Sequence, residues 1–325
     1  MKKIFITGGA GYVGSVLVPE LLKKNYFVTS YDLMIYGNTL PEDKNLKVVK
    51  GDIRNQKLLK DSLQNHDVVI HLACISNDPS FDLNPDLGKS INLDAFEPLV
   101  NYSKQFGIKQ FIYASSSSVY GIKNENNVNE EMTLEPLTDY SKFKVDCEKI
   151  LHSFNDENFC ATTIRPATVC GYSKRQRLDL VVNILTNLAF FKKEITVFGG
   201  KQLRPNIHIG DMVSAYIKVI ESPKNLIENQ IFNAGYENKS VEDLALTVKS
   251  VIGDDIKIKY TETNDNRSYH ISSEKIKKIL NFTPQFTIKD AVIDLKKAFQ
   301  NNLLTRTFDD EMFVNIKRMK SINLK

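Results

Sequence analysis

Short apolar runs alternate with stretches of helical periodicity through the first half of the chain. Lys3-Ile4-Phe5-Ile6-Thr7 reads as a strand buried on both faces, and from about Tyr12 a helix sets Val13, Leu17 and Leu21 near one face. Phe27 to Asp32 reads as a second strand. Leu46 to Lys50, Val68 to Leu72, Phe111 to Ser115 and Ala161 to Arg165 continue the series, with helices between most of them. Such alternation predicts right-handed crossovers and an α/β fold built on a doubly wound parallel sheet. Pro19 falls inside the first helix, where its missing N–H and its ring predict a kink. Beyond Arg165-Pro166 the alternation becomes irregular. Short strands (Ile195 to Phe198, Ile256 to Tyr260) and helices around Leu178 to Phe190, Val241 to Val251 and Lys289 to Phe299 predict a smaller C-terminal lobe covering the carboxyl ends of the strands.

Composition narrows the class. A chain of 325 residues has room for two lobes, and 42% hydrophobic with 25% charged residues is ordinary for a globular enzyme. With 43 basic and 39 acidic residues spread along the chain, the balance of +4 is too small for a nucleic-acid footprint. Cys74, Cys147, Cys160 and Cys170 form no C-x-x-C pair and have no partnering histidine pattern. Free thiols in a reducing cytoplasm are therefore expected, with neither disulfide nor metal site. MKKIFITGG enters a strand directly without an apolar run before a cleavage site, and no run approaches the ~20 residues of a membrane span, so neither signal peptide nor membrane segment is expected.

The turn between the first strand and helix reads TGGAGYVGS, Thr7 to Ser15. Following an apolar strand and opening a helix, it predicts a dinucleotide cradle of Rossmann type. Gly8 or Gly9 permits the tight turn, Gly11 lets backbone approach a pyrophosphate, and Gly14 permits close helix–sheet packing. Tyr12 and Val13 complete the loop, whose free N–H groups and helix dipole attract phosphate. Asp32 ends the next strand, placed to accept the adenosine ribose hydroxyls. No arginine follows it (Leu33, Met34), and a carboxylate repels a 2′-phosphate, so NAD is expected over NADP.

Further on, YASSSSVYG (Tyr113 to Gly121) ends a strand and DYSKFK (Asp139 to Lys144) enters a helix. Tyr140 and Lys144, four positions apart, share one helix face. An ammonium beside the phenol is expected to lower its pKa from about 10 and so suit Tyr140 to proton transfer. Lys144 can also hold the cofactor ribose, and a strand-end serine can hydrogen-bond the same substrate oxygen.

Together these pieces resemble the extended short-chain dehydrogenase/reductase superfamily, in particular its NAD-dependent nucleotide-sugar epimerases and dehydratases, over nearly the whole chain. Gly51-Asp52-Ile53 resembles the adenine-contacting G-D-[LIV], and His71-Leu72-Ala73-Cys74 resembles H-L-A-A with cysteine in place of the last alanine. Asn92 falls at a structural or cofactor-near asparagine. Arg165-Pro166-Ala167-Thr168-Val169-Cys170-Gly171 resembles R-P-x-x-V-Y-G with Cys170 replacing tyrosine. Gln202 to Asp211 resembles Q-x-R-x-x-[IV]-H-V-x-D, and Arg267-Ser268-Tyr269 with Lys275 and Leu280 to Pro284 resembles the C-terminal R-x-Y…K…L-G-[FW]-x-P. The resemblance implies cofactor contacts at Asp52, Ile53, Leu72, Ala73, Cys74, Asn92 and Pro166. It implies an Arg204–Arg267 clamp on the diphosphate of a nucleotide sugar, with Ser117, Thr168 and Asn183 as further substrate contacts. His71 and His208 are expected to be structural. A homodimer joined by a four-helix bundle, one helix being that of Tyr-x-x-x-Lys, is also implied. So is a division into residues 1–170, with a return at about 201–234, a substrate lobe of 171–200 and 235–305, and a polar tail of 306–325.

Counting back from Val119-Tyr120-Gly121 puts Ser116 at the family's catalytic Ser/Thr. At the next two positions 4,6-dehydratases resemble T-D-E-V-Y-G, decarboxylases carry a glutamate and GDP-mannose 3,5-epimerases a cysteine. Ser117 and Ser118 are not effective acids or bases near pH 7. Dehydration, decarboxylation and carbon-acid epimerisation are disfavoured. What remains is reversible hydride transfer at a sugar carbinol, most readily C4. The expected activity is an NAD-dependent nucleotide-sugar 4-epimerase. The alternative is a 4-dehydrogenase releasing the keto sugar, because Arg175 to Asn183 resembles a segment of some heptose-modifying dehydrogenases. A third class, NAD(P)-binding sensors without turnover, typically lacks the Tyr-x-x-x-Lys that this chain keeps.

Overall fold

The structure, a computed structural model, describes residues 1–76, 78–125, 127–263 and 268–325. Among these residues the strands are β1 (Lys3–Thr7), β2 (Phe27–Asp32), β3 (Leu46–Lys50), β4 (Val68–His71), β5 (Gln110–Ala114), β6 (Cys160–Pro166), β7 (Thr168–Cys170), β8 (Glu194–Phe198), β9 (Leu203–His208), β10 (Gln230–Ala234), β11 (Glu237–Ser240) and β12 (Lys257–Thr261). Seven of them form one parallel sheet in the order β10-β6-β5-β4-β1-β2-β3. Its seventh strand, β10, lies beyond the regular alternation and is recruited beside β6.

The unbroken apolar run of β1 follows from burial on both faces. Ile4 and Ile6 join one core with Leu17, Val18 and Leu21 of α1 (Gly14–Lys23), while Phe5 joins the opposite core. That second core receives Leu59 and Leu63 of α2 (Gln56–Leu63), Phe96, Leu99 and Val100 of α3 (Phe96–Gln105), and Cys147 and Leu151 of α4 (Asp139–Ser153). α1 continues through Pro19 as one helix. Leu17, Val18, Leu21 and Leu22 are buried on either side of the proline, and their packing outweighs the lost backbone bond.

The smaller lobe packs α5 (Val181–Lys192), α7 (Val241–Ile252) and α8 (Ile288–Gln300) around Val182, Leu185, Leu244, Val248 and Val292. Before α7 comes α6 (Ile209–Glu221), which instead joins α1 on the large sheet through Met212, Val213 and Tyr216. β9 pairs with β7 and β11, and β8 with β12. The tail ends in α9 (Asn315–Ser321), which returns to the large domain and inserts Met319 into its second core. The strand order reverses between β1 and β4, and a crevice opens there outside the carboxyl ends.

Candidate active site

That crevice is a cavity of ≈460 Å³. Of the site residues expected from the sequence and described by the structure, all but Asn92 and Asn183 line it. Arg267 lies outside the described residues.

Gly8 has φ +74°, a left-handed conformation that favours glycine, and a Cβ on Gly14 would stand 2.4 Å from Gly9 O. The loop therefore packs as closely as a strand-to-helix cradle requires, with the first N–H groups of α1 at the cavity. At the end of β2, Asp32 Oδ2 accepts from Ala10 N at 3.0 Å and Oδ1 from Met34 N at 2.7 Å. Each oxygen keeps a lone pair for a ribose hydroxyl, so a dinucleotide fits the residues present. Burial pushes the Asp32 carboxyl up, against those two N–H groups and the charge of Arg175. Asp52 lies beyond it and is ion-paired to Arg54 at 2.6 Å.

Ser116 ends the extension of β5 with φ −158° and ψ 145° and caps the short 3₁₀ turn Ser117–Tyr120, accepting from Ser118 N at 3.1 Å. Across the cavity Thr138 caps α4 by accepting from Ser141 N, which sets Tyr140 in the first turn. Tyr140 and Ser116 both line the cavity, close enough for the Ser116 hydroxyl to act on the phenol. Lys144 Nζ donates to Ala114 O at 2.6 Å, tying α4 to the end of β5. These three groups converge from two elements.

The expected lowering of the Tyr140 pKa is not what this geometry gives. Burial raises it well above 10, reinforced by Cys74 and Asp78 and opposed by Arg177 and the Ser116 hydroxyl. The Lys144 ammonium is committed to Ala114 O and stands 5.7 Å from the centre of the Tyr140 ring.

Two asparagines do not reach the cavity. Asn92 exchanges both amide bonds with the backbone of Ile75, at 2.8 and 2.9 Å, and so fixes the loop after β4. Asn183 is fully buried, bonding Gly171 N, Tyr12 Oη and Arg177 O, which leaves it structural rather than a substrate contact. Cys170, where the resemblance has tyrosine, is buried in the smaller lobe's core. His71 bonds Thr7 Oγ1 and is held neutral by burial, its pKa down to about 3.

The chain matches the sequence model of the "NAD dependent epimerase/dehydratase family" over residues 4–235. It belongs to that family. It is thus an enzyme of the NAD-dependent extended short-chain dehydrogenase/reductase type. It is 29% identical over 306 residues to a protein of Bacillus subtilis (strain 168) named uncharacterized UDP-glucose epimerase YtcB, covering 89% of this chain and 95% of that one. It is 26% identical over 317 residues to a UDP-glucose 4-epimerase of Lactobacillus helveticus, covering 90% and 94%. The structure of a UDP-glucose 4-epimerase with UDP-glucose from Thermotoga maritima superposes with a TM-score of 0.85 at 24% identity, covering 93% of this chain and 100% of that one. At that identity it speaks for the fold.

Several cavity residues of this epimerase/dehydratase chain were not foreseen. Arg175 lies over the Tyr36 ring at 3.6 Å and donates to Asn315 Oδ1 at 2.7 Å, and burial brings its pKa down to about 10. Arg177 is ion-paired with Asp179 at 2.9 Å and donates to Ser76 Oγ. Asn315, Met319 and Leu324 bring the tail to the cavity wall. The repeated arginines of Arg175-Gln176-Arg177 were a usable signal for the first two. Nothing in the tail's composition distinguishes Asn315. Among the described residues no helix is long and apolar enough to cross a membrane, and no group of three or more His, Cys, Asp or Glu could hold a metal ion.

Proposed function

We propose that the chain is a nucleotide-sugar 4-epimerase working through a transient 4-keto sugar. The observation carrying this reading is the convergence of Tyr140, Ser116 and Lys144 at the cavity, with serines at 117 and 118 where the resemblance puts an acid pair in dehydratases. Bound NAD supplies the hydride acceptor, and later the donor. Tyr140 takes the C4 hydroxyl proton and returns it to the carbonyl oxygen when hydride re-enters at the opposite face of C4, Ser116 hydrogen-bonds the nascent ketone, and Lys144 holds α4 against β5. Arg204, whose Nη1 donates to Leu203 O, and Thr168 at the start of β7 line the cavity and are the residues this reading assigns to the nucleotide sugar. The names of the relatives, UDP-glucose epimerases, support a UDP-sugar as the first substrate to test.

The test is incubation with UDP-glucose and UDP-galactose deuterated at C4, followed by mass spectrometry and absorbance at 340 nm. The 4-epimerase keeps the label at C4 and accumulates no NADH. Stoichiometric NADH or a trapped 4-keto product establishes the 4-dehydrogenase instead. That second reading draws on Arg175 and Arg177, from the segment resembling heptose-modifying dehydrogenases, which the fold brings into the cavity wall.

A further inference from the structure

The stretch after β7 is fastened to the glycine loop. Tyr12 Oη donates to Gly171 O at 2.7 Å, Ser173 Oγ donates to Tyr12 O at 2.9 Å, and Ser173 Oγ lies 2.6 Å from Ser15 Oγ. Gln176 closes the same turn on itself, accepting from Ser173 N at 2.9 Å and donating to Gly171 O at 3.3 Å. Tyr12, Ser15, Ser173 and Gln176 are all buried. Arg175 is therefore carried on a turn bolted to the loop whose N–H groups open α1.

That arginine is a buried cation without a counter-ion. It is 4% exposed, and its partners are neutral: Asn315 Oδ1 at 2.7 Å, Gln176 O at 3.2 Å and the face of the Tyr36 ring at 3.6 Å. Its Nε has no hydrogen-bond partner, and among the described residues no carboxylate pairs with it. The nearby carboxylate of Asp179 accepts from Arg177 Nε and from Asn315 N instead. The ring face offsets part of the cost of burying a charge. The remainder is uncompensated, and burial brings the Arg175 pKa down to about 10. Arg175 lines the cavity, so the missing negative charge can come from a ligand.

We propose that Arg175 is the counter-charge of the cofactor's pyrophosphate, acting together with the N–H groups at the start of α1. A helix N-terminus offers roughly half a positive charge against the about two negative charges of a diphosphate, so the glycine loop alone leaves most of the ligand's charge unmatched. A guanidinium suits the task, since it presents several N–H donors in one plane to phosphate oxygens. A nucleotide sugar brings a diphosphate of its own, but the partners of Arg175 belong to the cofactor side. Tyr36 follows Asp32 in the loop after β2, and Asn315 belongs to the tail that binds that loop through Arg318 and Ile35 O. Arg204, the residue assigned to the nucleotide sugar, stands on β9. The inference rests on the family's NAD dependence and not on the reaction at C4.

Binding without turnover tests it. Arg175→Met is titrated by calorimetry with NAD, ADP and adenosine, and with UDP after saturation with NAD, at low and high salt. At low salt NAD and ADP are expected to bind about 10- to 150-fold more weakly than to wild type, and adenosine and UDP as tightly as before. Raising the salt narrows the gap. Arg175→Lys keeps a positive charge and recovers part of the loss. Because Arg175→Met sheds an uncompensated buried charge, its ligand-free melting temperature stays level or rises, which the loss of a structural brace would not allow.

Unchanged ADP affinity in folded Arg175→Met overturns the proposal. So does an equal loss for adenosine, which assigns the guanidinium to the nucleoside, and so does a loss confined to UDP, which assigns it to the nucleotide sugar. Unfolding of the ligand-free variant makes Arg175 a brace and overturns the proposal as well. Weakened ADP binding in the variant, with no turnover of any nucleotide sugar by the wild type, removes the proposed function and leaves the diphosphate site standing.

Discussion

At the scale of the residue, Asp32 shows how a position legible in sequence gains a partner that was not. Its place at the end of β2 and its two backbone bonds favour a ribose diol over a 2′-phosphate. Arg175 nevertheless arrives from a distant stretch of chain, and its charge acts on the same carboxylate. Wild type is expected to bind NAD more tightly than NADP. Asp32→Ala weakens NAD and strengthens NADP, because the guanidinium is then left to meet the phosphate; titration calorimetry with both cofactors measures the change. Equal affinities in wild type defeat the assignment. Arg204 carries the second residue-scale prediction. Arg204→Ala removes a charge-assisted contact worth about 1.5–3 kcal/mol, roughly 10- to 150-fold in UDP-sugar affinity. NAD affinity and melting temperature are expected to remain unchanged, and unfolding would instead make Arg204 part of the lobe's framework. The expected proton chemistry at Tyr140 was only half legible: spacing puts Lys144 on its face, but not where the ammonium is spent.

At the scale of the element, the junction of β5, β6 and α4 depends on a buried ion pair. Arg165 of β6 donates to both oxygens of Glu148 on α4, at 3.0 and 2.7 Å, and to Tyr120 Oη at 2.8 Å, while Ser115 Oγ donates to Glu148. Both side chains are less than 5% exposed. Removing one partner strands the other charge in the interior, so Arg165→Met is expected to cost about 3–5 kcal/mol in urea unfolding. Glu148→Leu added to Arg165→Met should recover most of that loss, since a well-packed apolar pair avoids the desolvation cost. A double variant as unstable as the single would mean that the pair is needed for packing rather than charge balance. The helix and strand series was readable because the inner strands send apolar residues alternately to two cores, as Ile4 and Phe5 do, while each helix presents one apolar face to a single core. Arg165 was legible only through the resemblance of R-P. Its partner sits on an amphipathic helix where a glutamate reads as solvated, and periodicity carries no information on such a pairing.

At the scale of the whole molecule, the cavity is closed by three parts of the chain: the glycine loop and strand ends, the smaller lobe, and the tail. The tail was the least legible part, because its apolar residues are interleaved with charges around a single seven-residue helix, too short for periodicity to place it. In the fold, Asn315 binds three partners: its N–H donates to Asp179 Oδ2 at 3.0 Å, its Nδ2 to Ser76 Oγ at 3.0 Å, and its Oδ1 accepts from Arg175. Arg318 Nε donates to Ile35 O at 2.7 Å, and Arg54 Nη2 donates to Lys325 O at 2.7 Å. The tail thus joins the loops after β2, β3 and β4 to Arg175 and Asp179, along the wall expected to hold adenosine. Deleting residues 306–325 removes this wall and takes Met319 from the second core, but leaves the strand pairing of the sheet and the smaller lobe's core of Val182, Leu244 and Val292 in place. NAD is expected to dissociate about tenfold faster from the shortened chain, matching the loss of one or two net hydrogen bonds, as measured by stopped-flow displacement. Asn315→Ala in the full-length protein should reproduce part of the effect without changing the melting temperature much. Unchanged cofactor release in both would mean that the tail covers the crevice without contributing to the hold on its ligand.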